Sequence, residues 1–268
     1  MKKIIFLFCG LCCSLSLLAQ KKYSPKTTSI LHKLGNDQIR IKLFQYGKKK
    51  DIVFINLHDD ETTSLSGTEQ LLRTRGGLLI KLENNNKRNI SFRLDGGFYT
   101  FDPNRIFSRN GIQLSLSGFK NTSNNAIKEI EKFASRILAL LPKELSCIIA
   151  LHNNTDGNLS VNSFLPGNEY EKDAQKVYTD DSQDPDDFFL TTDSLLFQQL
   201  SGEKYNMVWQ DNLRVQQDGS LSVYFGEKKI CYLNCETEHR KVKQYEEMIT
   251  IALKYISQRK NSINSVIP

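Results

Sequence analysis

Clusters of basic residues interleaved with aromatic side chains are missing from this chain of 268 residues. Its 36 lysines and arginines exceed its 30 acidic residues, which gives a formal charge of +6. Without residues 1–19, which hold two lysines and no acids, the charge falls to +4. Because so mild a charge comes without a basic patch, the sequence gives no support to nucleic-acid binding, and we expect no nucleic-acid partner.

Cysteine is scarce in the rest of the chain. After residue 19 the sequence contains only Cys147, Cys231 and Cys235. An odd number leaves at least one free thiol. Cys231 and Cys235 are four residues apart in one predicted strand, a separation of about 13 Å, which excludes a disulfide between them. All three lie in apolar runs, so we expect buried free thiols. A chain of this length buries a core large enough to fold without a disulfide scaffold.

The sequence lacks long apolar runs except at its start. There, two lysines precede an apolar stretch from Ile4 to Leu18, which ends in Ala19-Gln20. This order is typical of a secretory signal peptide, and about 15 apolar residues fall short of the roughly 20 that a membrane span needs. We therefore expect a signal peptide at residues 1–19, one domain at 20–268, and an exported protein, periplasmic or secreted. An uncleaved anchor is the alternative.

Apolar residues recur with the period of strands in some stretches and of helices in others. Strands are predicted at residues 38–46, 53–57, 78–82, 90–94, 145–151 and 230–236. Helices are predicted at residues 65–75, 124–141, 194–200 and 242–256. Residues 20–33 and the acidic stretch 167–193 are expected to form loops. Strands that alternate with helices indicate a single α/β domain.

Histidine is also scarce, with four residues in the chain: His32, His58, His152 and His239. His58 and His152 each follow an apolar run at the carboxyl end of a predicted strand. In a parallel sheet both would reach the same edge, where open α/β sheets bind ligands. With Glu61, they make the two-histidine, one-carboxylate set of a catalytic zinc site. The alternative for each histidine is a hydrogen-bonded structural side chain.

Two common protease motifs are absent. The chain has no His-Glu-x-x-His, and the inverted form His-x-x-Glu-His fails because residue 62 is threonine. Between the two candidate histidines lies the segment Phe101-Asp-Pro-Asn-Arg-Ile-Phe107. Its adjacent Asn104 and Arg105 are suited to hold a carboxylate, because an arginine binds one with two parallel hydrogen bonds. A surface turn at Pro103 is the alternative.

The order of these motifs resembles that of the zinc carboxypeptidase superfamily. The order is His-x-x-Glu, then Asn-Arg, then a histidine at a strand end, then a glutamate on a late strand. The resemblance points to the compact branch of succinylglutamate desuccinylases and aspartoacylases, where Asn-Arg belongs to an Asp-x-Asn-Arg-x-Phe segment. Asp102–Phe107 has this pattern here, and the resemblance covers roughly residues 51–256.

This resemblance implies a single domain with a central mixed, mostly parallel sheet flanked by helices, of the zinc carboxypeptidase type. His58, Glu61 and His152 match the zinc ligands of the family. Asn104 and Arg105 match the residues that bind the carboxylate of the substrate.

The resemblance also implies a general base on a late strand. Glu236 matches that setting, and Glu238 is the reserve candidate because it shares a side of the strand if the strand continues. The family usually has a further arginine before Asn-Arg, facing the reacting carbonyl. Gly96-Gly97 fills the obvious position here, and Arg93 is the nearby candidate for that catalytic role.

A second departure is Asp59, which stands where the family has glycine. Asp59 or Asp60 is a candidate hydrogen-bond partner of a ligand histidine. The resulting hypothesis is an exported, zinc-dependent amide hydrolase that cleaves a small peptide or acylated amino acid with a free carboxylate. Export makes cell-wall peptides a natural substrate class. A deacylase of small N-acyl amino acids, or a catalytically silent binding module that keeps the fold, are the alternatives.

Overall fold

Eleven strands and six helices make up residues 22–264, the part of the chain that the computed structural model describes. The strands are β1 (Pro25–Leu34), β2 (Asp37–Tyr46), β3 (Ile52–Asn56), β4 (Gly77–Glu83), β5 (Ile90–Leu94), β6 (Gly97–Phe101), β7 (Cys147–Leu151), β8 (Ala174–Tyr178), β9 (Phe188–Thr191), β10 (Asn206–Gln210) and β11 (Tyr232–Glu236). The helices are α1 (Thr62–Arg75), α2 (Arg109–Gly118), α3 (Asn124–Leu138), α4 (Ser194–Gly202), α5 (Leu221–Glu227) and α6 (Val242–Asn264). The predicted signal peptide lies outside the described residues.

Nine strands form one mixed sheet in the order β1-β2-β4-β3-β7-β11-β9-β10-β8, and β5 and β6 form a separate hairpin. The four central strands β4, β3, β7 and β11 run parallel to one another. Toward both edges the pairing becomes antiparallel, except between β9 and β10. The single α/β domain with a mixed sheet is therefore confirmed. The sheet is not mostly parallel, because four of its eight strand pairs are parallel and four are antiparallel, and three of the parallel pairs lie at the centre.

Both faces of the sheet are covered, because the central strands are apolar on both sides. Val53 and Ile55 belong to the core that includes α2, α3 and α5, whereas Phe54 between them belongs to the core under α1, α4 and α6. Gly67 brings α1 close to α6, since a Cβ at this position would lie 3.0 Å from the Val242 carbonyl oxygen. Within residues 22–264, none of the helices is both long and apolar enough to cross a membrane.

Helix α3 shows why the strongest periodic pattern was predicted well. Ser123 caps it by accepting a hydrogen bond from the amide of Ala126. Its buried stripe contains Ile127, Ile130 and Phe133 at helical spacing. The helix ends at Leu138, earlier than the predicted end at residue 141.

The predicted loops at 20–33 and 167–193 are wrong in part, because both contain strands. Strand β1 pairs with β2 over its whole length and is largely exposed, so its composition is polar. Strands β8 and β9 lie within the acidic stretch and have five and four residues. Such short strands leave little periodicity to read. The elements β6, α2, β10 and α5 were not predicted either.

The expectation that all three cysteines are free thiols is wrong. Cys147 and Cys231 form a disulfide, with Cα atoms 4.6 Å apart, and only Cys235 is a buried free cysteine among the described residues. The two bonded cysteines stand at the start of neighbouring parallel strands, since Ile148 pairs with Tyr232 directly after them. Because they are 84 residues apart in sequence, only the sheet order reveals this pairing.

Candidate metal centre and substrate cavity

The ends of two neighbouring strands bring His58 and His152 together. Strands β3 and β7 are parallel, and Ile55 pairs with Ala150 near their carboxyl ends. His152 follows β7 directly, and His58 lies two residues beyond β3. Their ring centroids are 5.2 Å apart. Both imidazoles therefore lie at the same edge of the sheet, at the ends of two parallel strands, as predicted.

Glu61 lies between the two imidazoles at the start of α1. Its Oε1 is 3.0 Å from Nδ1 of His58, and its Oε2 is 2.8 Å from Nδ1 of His152. One candidate ligand atom from each of the three residues fits within 4.8 Å of the others. All three side chains are buried. Two nitrogens and a carboxylate therefore converge on one point, shielded from bulk water.

Asp102 holds the other nitrogen of His58. Its Oδ1 lies 2.7 Å from Nε2 of His58. Burial raises the pKa of Asp102, but hydrogen bonding to His58 outweighs this and holds that pKa well below its ordinary value. An ionised carboxylate only accepts hydrogen bonds, so His58 donates through Nε2. This contact directs Nδ1 of His58 toward Glu61, as partners of metal-bound histidines do.

Neither Asp59 nor Asp60 supplies this contact, so that expectation is corrected. The Asp59 carboxylate instead binds the Lys81 amine at 2.9 Å. It also accepts hydrogen bonds from the backbone amides of Asn84 and Asn86, at 2.6 and 2.9 Å. Asp59 therefore fixes the loop that follows β4, and this loop carries Arg88.

The two carboxylates next to His58 stabilise positive charge on its imidazole. Burial lowers the pKa of His58, but Glu61 and Asp102 outweigh it and raise the pKa to about 9. Burial raises the pKa of Glu61, but the two histidines hold it well below its ordinary value. A proton on His58 thus balances carboxylate charge, and a metal ion at Nδ1 would take its place.

These donors fit zinc. Two imidazole nitrogens and one carboxylate are a known ligand set of catalytic zinc sites, which keep a further position for water or substrate. A neighbouring carboxylate on the distal nitrogen of a ligand histidine is also typical. His58, Glu61 and His152 would therefore hold the ion, and Asp102 would orient His58.

Arg88 lies beside this group, and Arg93 does not. Nη1 of Arg88 is 2.5 Å from Oε1 of Glu61, and Arg88 lines the adjoining cavity. Arg93 pairs with Asp37 at 2.7 Å, and its side chain is 67% exposed. Since Arg93 is exposed, pairs with Asp37 and does not line the cavity, its position does not support the catalytic role expected of it.

Asn104 and Arg105 form a short turn directly after Asp102 and line the same cavity. The amide of Asn104 donates to Oδ1 of Asp102, at 2.8 Å, which ties this turn to the histidine side. Arg105 contacts the Asp218 carboxylate through Nη1. The predicted carboxylate-binding pair thus lines the same cavity as His152, one of the three predicted metal ligands.

Glu236 and Glu238 are separated by the end of β11. Glu236 is 5% exposed, lines the cavity, and accepts a hydrogen bond from Nδ2 of Asn234 at 3.1 Å. Burial raises its pKa above the ordinary value, and Glu61 adds to the effect. Glu238 contacts Lys241 instead. Glu238 lies beyond the end of β11, forms an isolated bridge with Asn154, and is not among the residues that line the cavity.

The cavity itself measures about 150 Å³. Arg88, His152 and Glu236 line one part of it, next to the candidate metal ligands. Its other walls combine aromatic and aliphatic side chains with polar ones: Asn104, Arg105, Leu159, Phe164, Tyr170, Asp173, Phe188, Leu190, Gln210, Val215, Asp218, Ser220, Ser222, Tyr232 and Asn234. A small ligand with both apolar and charged groups fits such a lining.

Two residues of this site were missed at the level of sequence. Asp102 had a signal, since it belongs to the Asp-x-Asn-Arg segment that carries the family resemblance. Arg88 had none of comparable strength, because it follows an asparagine-rich turn and precedes Arg105 by 17 positions. Only the folded loop held by Asp59 brings Arg88 to Glu61.

No family model matches the sequence, and no curated protein matches it. Among solved structures, the chain is similar to an aspartoacylase family protein from Mesorhizobium loti, with 12% identity and a TM-score of 0.46 over 90% of this chain and 69% of that one. It is also similar to bovine thrombin-activatable fibrinolysis inhibitor, solved in complex with tick carboxypeptidase inhibitor, with 10% identity and a TM-score of 0.46 over 88% and 90%. Similarities this low carry no inference about activity, which has to come from the residues of the site.

Proposed function

We propose that this chain is a zinc-dependent amide hydrolase that acts on a small substrate with a free carboxylate. The observation behind the proposal is that a candidate zinc site and a candidate carboxylate-binding site adjoin the same cavity. A His58–Glu61–His152 group suited to zinc adjoins it, and Glu236 and Arg105 line its walls. A site for water activation and a site for a carboxylate therefore lie within reach of one small molecule.

His58, Glu61 and His152 would hold the zinc ion, which would lower the pKa of a water molecule toward about 7. The chain itself prepares the site for the ion. Asp102 fixes the tautomer of His58, and burial excludes competing water from Glu61. Buried donors arranged before binding reduce the cost of ordering them around the ion.

Glu236 is the proposed general base. It accepts a proton from the attacking water and later donates it to the leaving amine. Burial raises the pKa of this carboxyl group, which brings it closer to the pH at which a proton shuttle works in both directions. The hydrogen bond from Asn234 orients Oε1 of Glu236 and leaves the second carboxylate oxygen available to accept the proton.

Arg88 and Arg105 have separate roles in the proposed reaction. Arg88, next to Glu61, donates hydrogen bonds to the carbonyl oxygen as negative charge develops on it, which is the strongest form of transition-state stabilisation. Arg105 and Asn104 hold the free carboxylate of the substrate and so place the scissile bond. In this role Arg88 would take the place of the further arginine that the family usually has before Asn-Arg.

Export is the second part of the proposal. Its support is the apolar start of the sequence together with the disulfide between Cys147 and Cys231. Disulfides of this kind persist in oxidising compartments and are rare in the bacterial and eukaryotic cytosol. Small peptides of the cell wall are the substrate class that such a location offers, and N-acyl amino acids are the alternative for the same chemistry.

The experiment compares matched amides in the presence of zinc. Small peptides and N-acetyl amino acids are offered with a free carboxylate or as the carboxamide, and release of the amine is followed. The proposal expects hydrolysis of the acids only, and its loss on adding a chelator. Equal rates for acid and carboxamide would overturn the role of Arg105. No hydrolysis of any substrate, with zinc bound, would favour the silent binding module.

A further inference from the structure

The surface at the amino ends of β3 and β4 is strongly basic. Three segments that are separate in the sequence contribute six exposed cations to it, so no single run of residues shows them as a patch. These six residues form the basic face: Lys22, Lys48, Lys49, Lys50, Arg73 and Arg75. Within the described part of the chain, none of the six forms a salt bridge.

Close contacts between the three segments hold the basic face together. The amide of Tyr23 donates a 2.6 Å hydrogen bond to the carbonyl of Arg73. The ring of Tyr23 covers the turn after β2, since a Cβ at Gly47 would lie 2.7 Å from it. Lys49 and Arg75 line one surface cavity of about 210 Å³. The six cations are therefore neighbours in the folded chain.

Acidic side chains offset little of this charge. Asp51 is the one acidic residue among the described residues that line the cavity, and its carboxylate accepts a hydrogen bond from the Ser146 hydroxyl at 3.3 Å. Glu69, one turn before Arg73 in α1, is half-buried. The carboxyl end of α1 favours cations such as Arg73 and Arg75, but it does not account for the lysines. The basic face thus presents net positive charge to the solvent.

The basic face lies at the end of the sheet opposite the candidate metal centre. The lysine turn precedes β3 and His58 follows it, and the five residues of β3 span about 17 Å. Strand β4 runs parallel to β3, so Arg75, which precedes β4, lies at the same end as the lysines. A flat partner on this face therefore leaves the substrate cavity accessible.

We infer that the basic face binds the surface of a lipid bilayer that contains anionic headgroups. In the sequence, the apolar run that ends at Leu18 precedes Lys22 by four residues. Four residues span at most about 14 Å, so a membrane that holds this run lies next to the basic face. Lysines and arginines near an anionic bilayer each add to the attraction, and a tyrosine such as Tyr23 suits the membrane interface. The bound protein directs its cavity away from the bilayer.

Vesicle binding tests the inference on the chain from Gln20 onward, which contains every described strand and helix. The protein is mixed with vesicles of phosphatidylcholine alone, or of equal parts phosphatidylcholine and phosphatidylglycerol, and the fraction that sediments with the vesicles is measured. At low salt we expect binding to the anionic vesicles only. Because the attraction is electrostatic, binding should be lost near 1 M salt, where charges are screened beyond about 3 Å.

A pair of triple variants separates the basic face from net charge. The test variant is Lys48→Gln/Lys49→Gln/Lys50→Gln. Each lysine near an anionic bilayer is worth about fivefold in binding, so this variant should bind on the order of a hundredfold more weakly. The control changes three exposed lysines elsewhere to glutamine and has the same net charge: Lys120, Lys128 and Lys172. It should bind within about threefold of the parent, and thermal unfolding of both variants should match the parent.

Equal loss of binding in the two triple variants would overturn the inference, because net charge alone would then explain the attraction. Absence of binding to anionic vesicles at low salt, or equal binding to neutral vesicles, would overturn it as well. Duplex DNA is the competing polyanion, and tighter binding of DNA that depends on the same lysines would reassign the face to nucleic acid. Because the face lies away from the cavity, each of these outcomes leaves the proposed hydrolysis untouched.

Discussion

Two groups of acidic side chains lie near the carboxyl ends of β7 and β11, and they are built differently. In the first, Glu61 is shared between two imidazoles. In the second, Asp156, Asp186 and Glu238 bring carboxylates alone within 4.8 Å of one another. The amine of Lys241 contacts Glu238 of the second group and also binds the neighbouring Asp184 at 2.7 Å.

The difference teaches that converging carboxylates do not by themselves make a zinc site. Zinc takes imidazole and thiolate ligands readily, whereas oxygen-only groups suit calcium or magnesium. In the first group, Asp102 directs a histidine nitrogen toward the shared point. In the second, an ammonium already supplies positive charge. We therefore expect zinc in the first group and not in the second, and each prediction below compares a residue near one with a counterpart elsewhere.

The largest effect is expected at the two late glutamates. Glu236→Gln removes the proposed base, so kcat should fall about a thousandfold. Glu238→Gln changes a residue of the second group, outside the cavity, and should keep kcat within about twofold of the parent enzyme. Steady-state kinetics on a hydrolysed acid checks both. Loss of kcat in Glu238→Gln with activity kept in Glu236→Gln would reverse the assignment.

The two arginines give the next contrast. Arg88→Ala should lower kcat/KM about a hundredfold, because it removes a donor to the developing negative charge. Arg93→Ala, on the exposed hairpin, is the control and should be close to the parent enzyme. The same kinetic assay measures both. A larger loss in Arg93→Ala would restore the role that the sequence first suggested for it.

Asp102 and Asp60 separate an orienting carboxylate from a neighbouring one. Asp102→Asn should weaken zinc binding about tenfold to a hundredfold, because His58 loses the partner that fixes its tautomer. Asp60→Asn should leave the affinity unchanged. Competition with a chromogenic zinc chelator gives both constants. Equal effects of the two substitutions would contradict the tautomer argument.

The smallest effect concerns Lys241 in the second group. Lys241→Met keeps a long side chain but leaves Asp184 and Glu238 without their ammonium partner, so the free energy of unfolding should fall by about 1–2 kcal/mol at pH 7. The hydrogen bond from Lys241 lowers the pKa of Asp184. The lysine contribution is therefore present above the ordinary pKa of aspartate and is lost as the pH falls through the lowered pKa. Urea titration at several pH values checks this, with zinc content unchanged.

The central strands and the metal group were predictable because both depend on local patterns. Apolar runs marked β3 and β7, and each was followed by a histidine. The disulfide of Cys147 depended on which strands become neighbours, and the contact between Asp102 and His58 depended on where the β5–β6 hairpin packs. No local pattern contains either of these. Arg88 depended on a loop held by Asp59, a residue that the family pattern marked only as a departure. What failed was thus the long-range pairing, and not the chemistry of the residues.

Zinc content of matched variants tests the central claim most directly. The protein is purified without chelator, and its zinc is measured by mass spectrometry beside that of His152→Ala and Glu238→Gln. We expect about one tightly held zinc per chain in the parent and in Glu238→Gln, and a loss of zinc in His152→Ala. We also expect that a chelator lowers the thermal stability of the parent. Zinc retained in His152→Ala, or a parent protein that binds none and is indifferent to chelator, would contradict the account.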